Sequence, residues 1–308
     1  MDELASTIPP RGGSDILEEG LRKRIDFDSL GVNLIVSRCE ENLIDNNKKN
    51  IIWQHLNYNE PLTQGMLNKF FVRSMDAFVY ISHWQYEKFR YVFSVPTENV
   101  FIIKNAIDPI EFIPKDKSEK IKLIYTSAPF RGLNILLDAF EILDRDDVEL
   151  DIYSSTIIYG SEYDNKYHSQ YEDLFNRASN MPNVNYHGYA ENSKIISALQ
   201  HSHIFAYPSV FEETCCLAMI EAGAAGCSIV SHNLGAIYET ASEFGKLLPI
   251  RVDEKQMAYE FAKALTETID SYWNTTDLLK KQSDFFNTFY CWEKKYLQWN
   301  KMLTTLMS

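Results

Sequence analysis

The stretch YPSVFEETCCLAMIEAGAAGCSIVSHNLGAIYET, Tyr207 to Thr240, decides how this chain is read. The apolar run ending at Tyr207 predicts a strand, the segment after it a loop, and the run from Thr214 a helix that Gly226 stops before the next strand. Open α/β sheets bind ligands at the carboxyl ends of their strands, and a helix start near Thr214 offers unpaired backbone N–H groups and a positive dipole end. Thr214, Cys215, Cys216 and Leu217 are therefore candidates for holding a diphosphate. Glu213 and Glu221 stand eight positions apart, which on a continuous helix is about 12 Å of rise and about 80° of rotation. The paired carboxylates of a glycosidase sit roughly 5 to 9.5 Å apart. The spacing instead suits two ends of one extended ligand, with Glu213 on sugar hydroxyls and Glu221 on ribose hydroxyls. The plainer reading of Glu213 is a dipole partner at a helix start.

Outward from this stretch, short β-rich apolar runs alternate with longer helical ones, the pattern of an α/β fold. Strands are predicted at Val32 to Ser37, Asn50 to Gln54, Ala77 to Ser82 and Val100 to Lys104. A linker follows from Asn105 to Lys120, carrying Pro109, Pro114 and the run KDKSEK. A second unit has strands at Lys122 to Thr126, Leu150 to Ser154, Val184 to His187, His203 to Tyr207 and Ser228 to Ser231, which implies a mostly parallel sheet with crossover helices. The last helix, from Cys291 to about Leu306, places Trp292, Tyr296 and Trp299 on one face, read as core packing. At 308 residues the chain has room for two domains.

A net charge of −13 opposes binding to nucleic acid or anionic lipid through a broad surface field, so any phosphate site must be local. The basic clusters Arg22-Lys23-Arg24 and Lys48-Lys49 are short and read as solvated faces, allowing at most weak membrane contact. No apolar run reaches the length of a membrane span, and MDELASTIPPRGGS lacks the regions of a signal peptide, so the expected location is the cytoplasm. Five cysteines, two of them neighbours and none at metal-ligand spacing, are expected to be free thiols without a structural metal. The sequon at Asn274 carries no weight in that compartment. His201 and His203 lack a third ligand in spacing. The chain contains no Gly-x-Gly, which argues against a dinucleotide-dependent oxidoreductase, and Gly245-Lys246 lacks the rest of a Walker A loop.

The arrangement of Glu213, seven residues and Glu221, preceded by Pro208-Ser209 and continued by EAGAAGCSIV, resembles the donor-site signature of retaining glycosyltransferase family 4, which has the GT-B fold. Other segments agree in order. Arg131 to Phe140 is similar to the family's basic residue, glycine and amphipathic helix. Ile103 to Asp108 resembles its interdomain segment, Val79 to Ser82 its preceding strand and serine, and Trp292 the aromatic that opens its last helix. The likeness covers about residues 77 to 300. It implies two Rossmann-like domains with mostly parallel sheets facing a central cleft, divided as 1–105 (acceptor side), 106–290 (nucleotide-sugar side) and a helix, 291–308, crossing back to the first.

The resemblance also implies roles. Arg131 stands where the family has a pyrophosphate-binding lysine. Ser127 lies near where a second arginine is often found, Ser154 replaces a small glycine, and Tyr189 sits where the backbone meets the base. His55, after the second strand, resembles a histidine facing the donor sugar. In Arg11-Gly12-Gly13-Ser14, Gly13 lets the backbone approach phosphate or sugar closely, or else the turn is a plain helix start capped by Ser14. The implied activity is retaining, metal-independent transfer of a hexose from a GDP-mannose or UDP-glucose type donor to a hydroxyl on a glycan or glycoprotein. No cofactor beyond that substrate and no nucleic acid is expected, and a homodimer is allowed. The short first domain resembles compact forms from bacteria and large algal DNA viruses, in the latter case acting in the host cytoplasm. Rival readings are a nucleotide-sugar epimerase, a phosphorolytic enzyme and a non-catalytic nucleotide-sugar binder.

Overall fold

The computed structural model describes residues 12–117 and 120–308. Four parallel strands, β1 (Val32–Val36), β2 (Lys49–Gln54), β3 (Ala77–Tyr80) and β4 (Val100–Ile102), lie side by side in chain order. Parallel neighbours joined by right-handed crossovers in that order put every connection on one face. Strand side chains alternate between faces. Ile35, Ile52, Phe78 and Tyr80 therefore meet Met66, Phe71 and Phe89 from those connections in a small core. Leu34, Ile51, Trp53 and Val79 point the other way and need another cover. It comes from the first helix, Gly13–Arg22, through Leu17 and Leu21, and from the last, Trp292–Met307, through Trp299, Met302 and Leu303. Trp299 packs edge-on against Trp53 at 5.3 Å and against Phe27 at 6.0 Å.

Only two of the three aromatics expected on one face of that helix are buried: Trp292 and Trp299 are 7% and 1% exposed, Tyr296 36%. At 3.6 residues per turn Tyr296 falls about 40° to one side of Trp292 and Trp299 about 20° to the other, which turns the tyrosine to the rim.

The second sheet has six parallel strands: β5 (Ile121–Tyr125), β6 (Val148–Ile152), β7 (Val184–Tyr186), β8 (Ile204–Tyr207), β9 (Ser228–His232) and β10 (Lys246–Leu248), in the order β10-β9-β8-β5-β6-β7. Its own helices cover it, among them Leu133–Leu143 packed on Glu254–Ser271 and Leu217–Ala224 packed on Thr276–Phe289. The strand order reverses between β5 and β8, and the crevice outside the carboxyl ends there is where such sheets hold ligands. All nine expected strands are present. Ser37, Ser82, Lys104, Thr126, Ser154 and His187, read as strand ends, lie just past the ladders.

Two joints between the halves stand out among the described residues, besides the loop described below. The chain crosses between them twice at one place, where Ile107 pairs with Cys291: the Ile107 N–H donates to the Tyr290 carbonyl at 2.9 Å and the Trp292 N–H to the Ile107 carbonyl at 3.2 Å. The expected linker is thus partly built in, with Ile103, Ala106, Ile107 and Ile110 buried. Its residues 118 and 119 lie outside the described residues. Elsewhere the carboxylate of Glu239 accepts from the first two N–H groups of the helix His83–Phe93, at 2.9 Å from His83 and 3.2 Å from Trp84, and pairs with Lys104 Nζ at 3.1 Å. No helix among the described residues is long and apolar enough to cross a membrane.

Candidate active site

A cleft of about 960 Å³ opens between the carboxyl ends of the two sheets. That is the size of a site for a large small molecule. Buried side-chain atoms without a hydrogen-bond partner are rare in folded proteins. Among the described residues His55 Nε2, Asn105 Oδ1, Thr126 Oγ1, Arg131 Nε, Ser154 Oγ and Glu191 Oε1 are such atoms, and all six residues line this cleft. A polar ligand would satisfy them. A shallower depression of about 380 Å³, near Arg24, Asp108 and Tyr296, is lined by none of these residues.

Glu213 does not lie on a helix. Strand β8 ends at Tyr207 and the helix begins only at Leu217, so 208–216 is a loop and the rise and rotation expected between Glu213 and Glu221 do not apply. Tertiary bonds override the local helix signal. The Thr214 hydroxyl donates to the His55 carbonyl at 2.9 Å, and Asn105 Nδ2 donates to the Cys215 carbonyl at 2.9 Å. The Ala236 N–H donates to the Glu213 carbonyl at 2.6 Å. Gly235, at φ +68°, lies so close that an added Cβ would be 2.4 Å from that same oxygen. The loop is thereby tied to both halves.

The Glu213 carboxylate is 4% exposed, and its Oε1 accepts from Arg131 Nη1 and from the Tyr207 hydroxyl. Arg131 ends a short turn, and left-handed Gly132, at φ +112°, follows it against the Pro208 carbonyl, where a Cβ would sit 2.1 Å away. Only glycine permits that approach of the two strand-end loops. The guanidinium lies 4.2 Å above the Phe211 ring, and Nη2 donates to the Tyr159 hydroxyl at 3.2 Å. Ser127 lies 3.4 Å from the Tyr207 hydroxyl.

His55 follows β2 on the opposite wall, 6% exposed, with its ring 4.2 Å from Trp53. Burial pushes its pKa down to about 3, so the imidazole is neutral and can only exchange hydrogen bonds. Burial likewise pushes the Cys215 thiol up to about 11 and Cys216 well above its ordinary value, so neither is a thiolate. Cys216 caps the helix Leu217–Ala224, whose first turn faces the cleft. The first helix starts here too. Its cap is Gly12 rather than Ser14, with the Asp15 carboxylate accepting from the Gly12 N–H at 3.0 Å. Gly13 faces Leu217: a Cβ on it would lie 3.3 Å from that side chain. Two helix N-termini therefore converge on one spot. Arg11 lies outside the described residues.

One turn along the helix Leu217–Ala224, Glu221 also lines the cleft, 8% exposed and accepting from Asn192 Nδ2 at 2.8 Å. Burial pushes its carboxyl up to about 7, with the Asn192 bond working against that. Ser154 and Tyr189 line the cleft as well, Ser154 buried and Tyr189 exposed. Tyr207, Tyr159, Phe211 and Asn192 were not singled out in the sequence. The signal available was position alone: Tyr207 ends a strand just before the Glu213 loop.

Residues 107–281 match the model of a family described as glycosyl transferases group 1. No curated protein sequence matches the chain. Among solved structures it is similar to TarM, with 18% identity, a TM-score of 0.62, and 84% of this chain and 51% of that one covered. It is also similar to the pneumococcal O-GlcNAc transferase GtfA in complex with UDP and GlcNAc, at 15% identity and TM-score 0.65, covering 91% of this chain and 59% of that one. A third is HepE of Anabaena in complex with UDP-glucose, at 15% identity and TM-score 0.65, covering 84% and 72%. The chain thus spans about half of TarM and about three-fifths of GtfA.

Proposed function

We propose that this chain, which belongs to the glycosyl transferases group 1 family and has the GT-B fold, transfers a hexose from a nucleotide-diphosphate sugar to an acceptor hydroxyl on a glycan, with retention and without a required metal. The observation that carries this reading is the buried Arg131–Glu213 pair, set at the switch point of the second sheet beside the first turn of Leu217–Ala224. Negative charge grows on the diphosphate as the glycosidic bond breaks. Arg131 and the helix N-terminus supply fixed positive charge where it develops, with no reorganisation needed at that moment. Glu213 Oε2, which takes neither the Arg131 nor the Tyr207 bond, accepts from sugar hydroxyls. Glu221 accepts from the ribose, and Tyr189 lies by the base.

Neutral His55 presents Nε2 to the sugar from the opposite wall. The acceptor hydroxyl attacks from the leaving-group face, and the departing phosphate oxygen takes its proton. A donor of the UDP-glucose or GDP-mannose type fits this frame, and the UDP bound by GtfA and the UDP-glucose bound by HepE support the uridine form. Glu213→Ala and Arg131→Ala are each expected to lose at least 10³-fold in donor turnover, about 4 kcal/mol of transition-state stabilisation, while staying folded. Full activity in either variant sinks the assignment. Product analysis with and without acceptor separates transfer from epimerisation and phosphorolysis, and the product anomer reads retention.

A further inference from the structure

Between β6 and β7 the chain forms a short turn, Ile157–Tyr159, and then a helix, Ser161–Tyr167, separated by Gly160 at φ +95°. Tyr159, Tyr163 and Tyr167 recur every fourth residue and lie in a row, each ring tilted against the next by 52° and 44°, with centroids 5.1 Å and 4.5 Å apart. Phe130 continues the row inward, 5.8 Å from Tyr159 and 6.0 Å from Phe211, the ring beneath Arg131. Core packing does not explain it. The tyrosines that build the core, such as Tyr80, Tyr125 and Tyr207, are no more than 1% exposed, whereas Tyr159 is 41% exposed and Tyr163 and Tyr167 are half-buried. The row begins at the charge centre, where the Tyr159 hydroxyl accepts from Arg131. It runs along the cleft through Tyr163 and leaves it at Tyr167. The other wall supplies Glu60, which also lines the cleft. Partial burial raises the Tyr163 phenol above its ordinary value, and the neighbouring Tyr171, Tyr159 and Tyr167 and then the charge of Glu60 add to it.

We propose that Phe130, Tyr159, Tyr163 and Tyr167 form an acceptor track that binds successive pyranose rings of an oligosaccharide and delivers its end to the Arg131–Glu213 centre. The inference rests on the glycosyl-transfer reading above. A pyranose has an apolar C–H face and a rim of hydroxyls. Half-exposed aromatic rings take the first through the negative charge of their faces, and carboxylates take the second. A single planar acceptor would cover one or two rings, whereas this row has four, with neighbouring centroids 5.8, 5.1 and 4.5 Å apart.

The test uses the full chain and gluco-oligosaccharides of one to six units, α-1,4 and β-1,4 linked, with binding read by saturation-transfer NMR, and UDP and GDP binding measured in parallel. Affinity is expected to rise with length. Tyr163→Ala and Tyr167→Ala are each expected to remove about three- to tenfold of that gain, with nucleotide affinity unchanged and Tyr163→Trp keeping the gain. A wild type that binds nucleotide but shows no gain with length, a gain that survives both alanine changes, or tighter binding of a planar phenol than of any oligosaccharide overturns the track. A wild type that binds neither nucleotide nor its sugar overturns the transfer reading itself.

Discussion

The two halves of the molecule are built from the same parallel strands but are finished differently. The six-stranded half carries its own helices on both faces. The four-stranded half covers one face with its own connections and leaves the other to the first helix and to the last, which returns from the far end of the chain. Chemistry divides along the same line. Arg131, Glu213 and Glu221 belong to the self-sufficient half, while His55, Gly13 and Glu60 belong to the dependent one. Donor contacts should therefore outlast loss of the first half's order, whereas anything requiring both walls should not.

The strongest way to break that contrast is removal of residues 291–308. The first sheet is expected to lose its amide protection in hydrogen exchange while the second keeps it and still binds nucleotide; uniform loss in both would show one cooperative body. Trp299→Ala acts on the same surface more gently. Truncating a fully buried tryptophan costs about 3 to 5 kcal/mol, and urea unfolding followed by exchange should locate the loss in β1 to β3.

Glu239→Gln sharpens the comparison at the clamp and should weaken coupling of the halves by about 1 to 3 kcal/mol, the worth of hydrogen bonds to a charged group. Burial pushes the Glu239 carboxyl up, but the bonds from His83 and the charge of Lys104 outweigh it and hold its pKa below 4.5. A depressed acid stabilises above its unfolded value and loses that as pH falls through the folded one. The clamp should hold at neutral pH and fail in acid, and a pH-stability profile of Glu239→Gln lacking that acid limb, relative to wild type, checks it. The smallest effect concerns Glu221, raised to about 7. The ionised carboxylate accepts more strongly than the protonated acid from the ribose hydroxyls proposed for it, so nucleotide affinity should rise by about two- to tenfold in all as pH passes through about 7. Glu221→Gln should flatten the curve; a flat wild-type titration removes Glu221 from the ribose.

Fold was the more legible property. Alternating strand and helix signals located nine strands, and β10 escaped because a three-residue edge strand carrying Lys246 has too little apolar pattern to register. The family resemblance pointed to His55, Arg131 and Ser154, and all three line the cleft. The helix start was misjudged at Thr214 because a hydroxyl followed by apolar residues is a local helix signal, and only the distant carbonyl of His55 redirects that hydroxyl. Ser14 lost its capping role to Gly12 for a related reason: Asp15 reaches back to that backbone first. Tyr207, Tyr159 and Asn192 act through partners 6, 28 and 29 positions away, and of these only the first lay within a stretch whose pattern could be read.

The adjacency of Ile107 and Cys291 has a mechanical meaning. Two bodies fastened at well-separated points form a rigid frame, but two fastened along one short seam can swing about it. Both covalent passages of this chain run through that seam, and the Glu239 and Thr214 bonds fasten the halves away from it. With all three in place the halves are braced as one frame, and only loss of the two outlying bonds would leave the seam as a pivot.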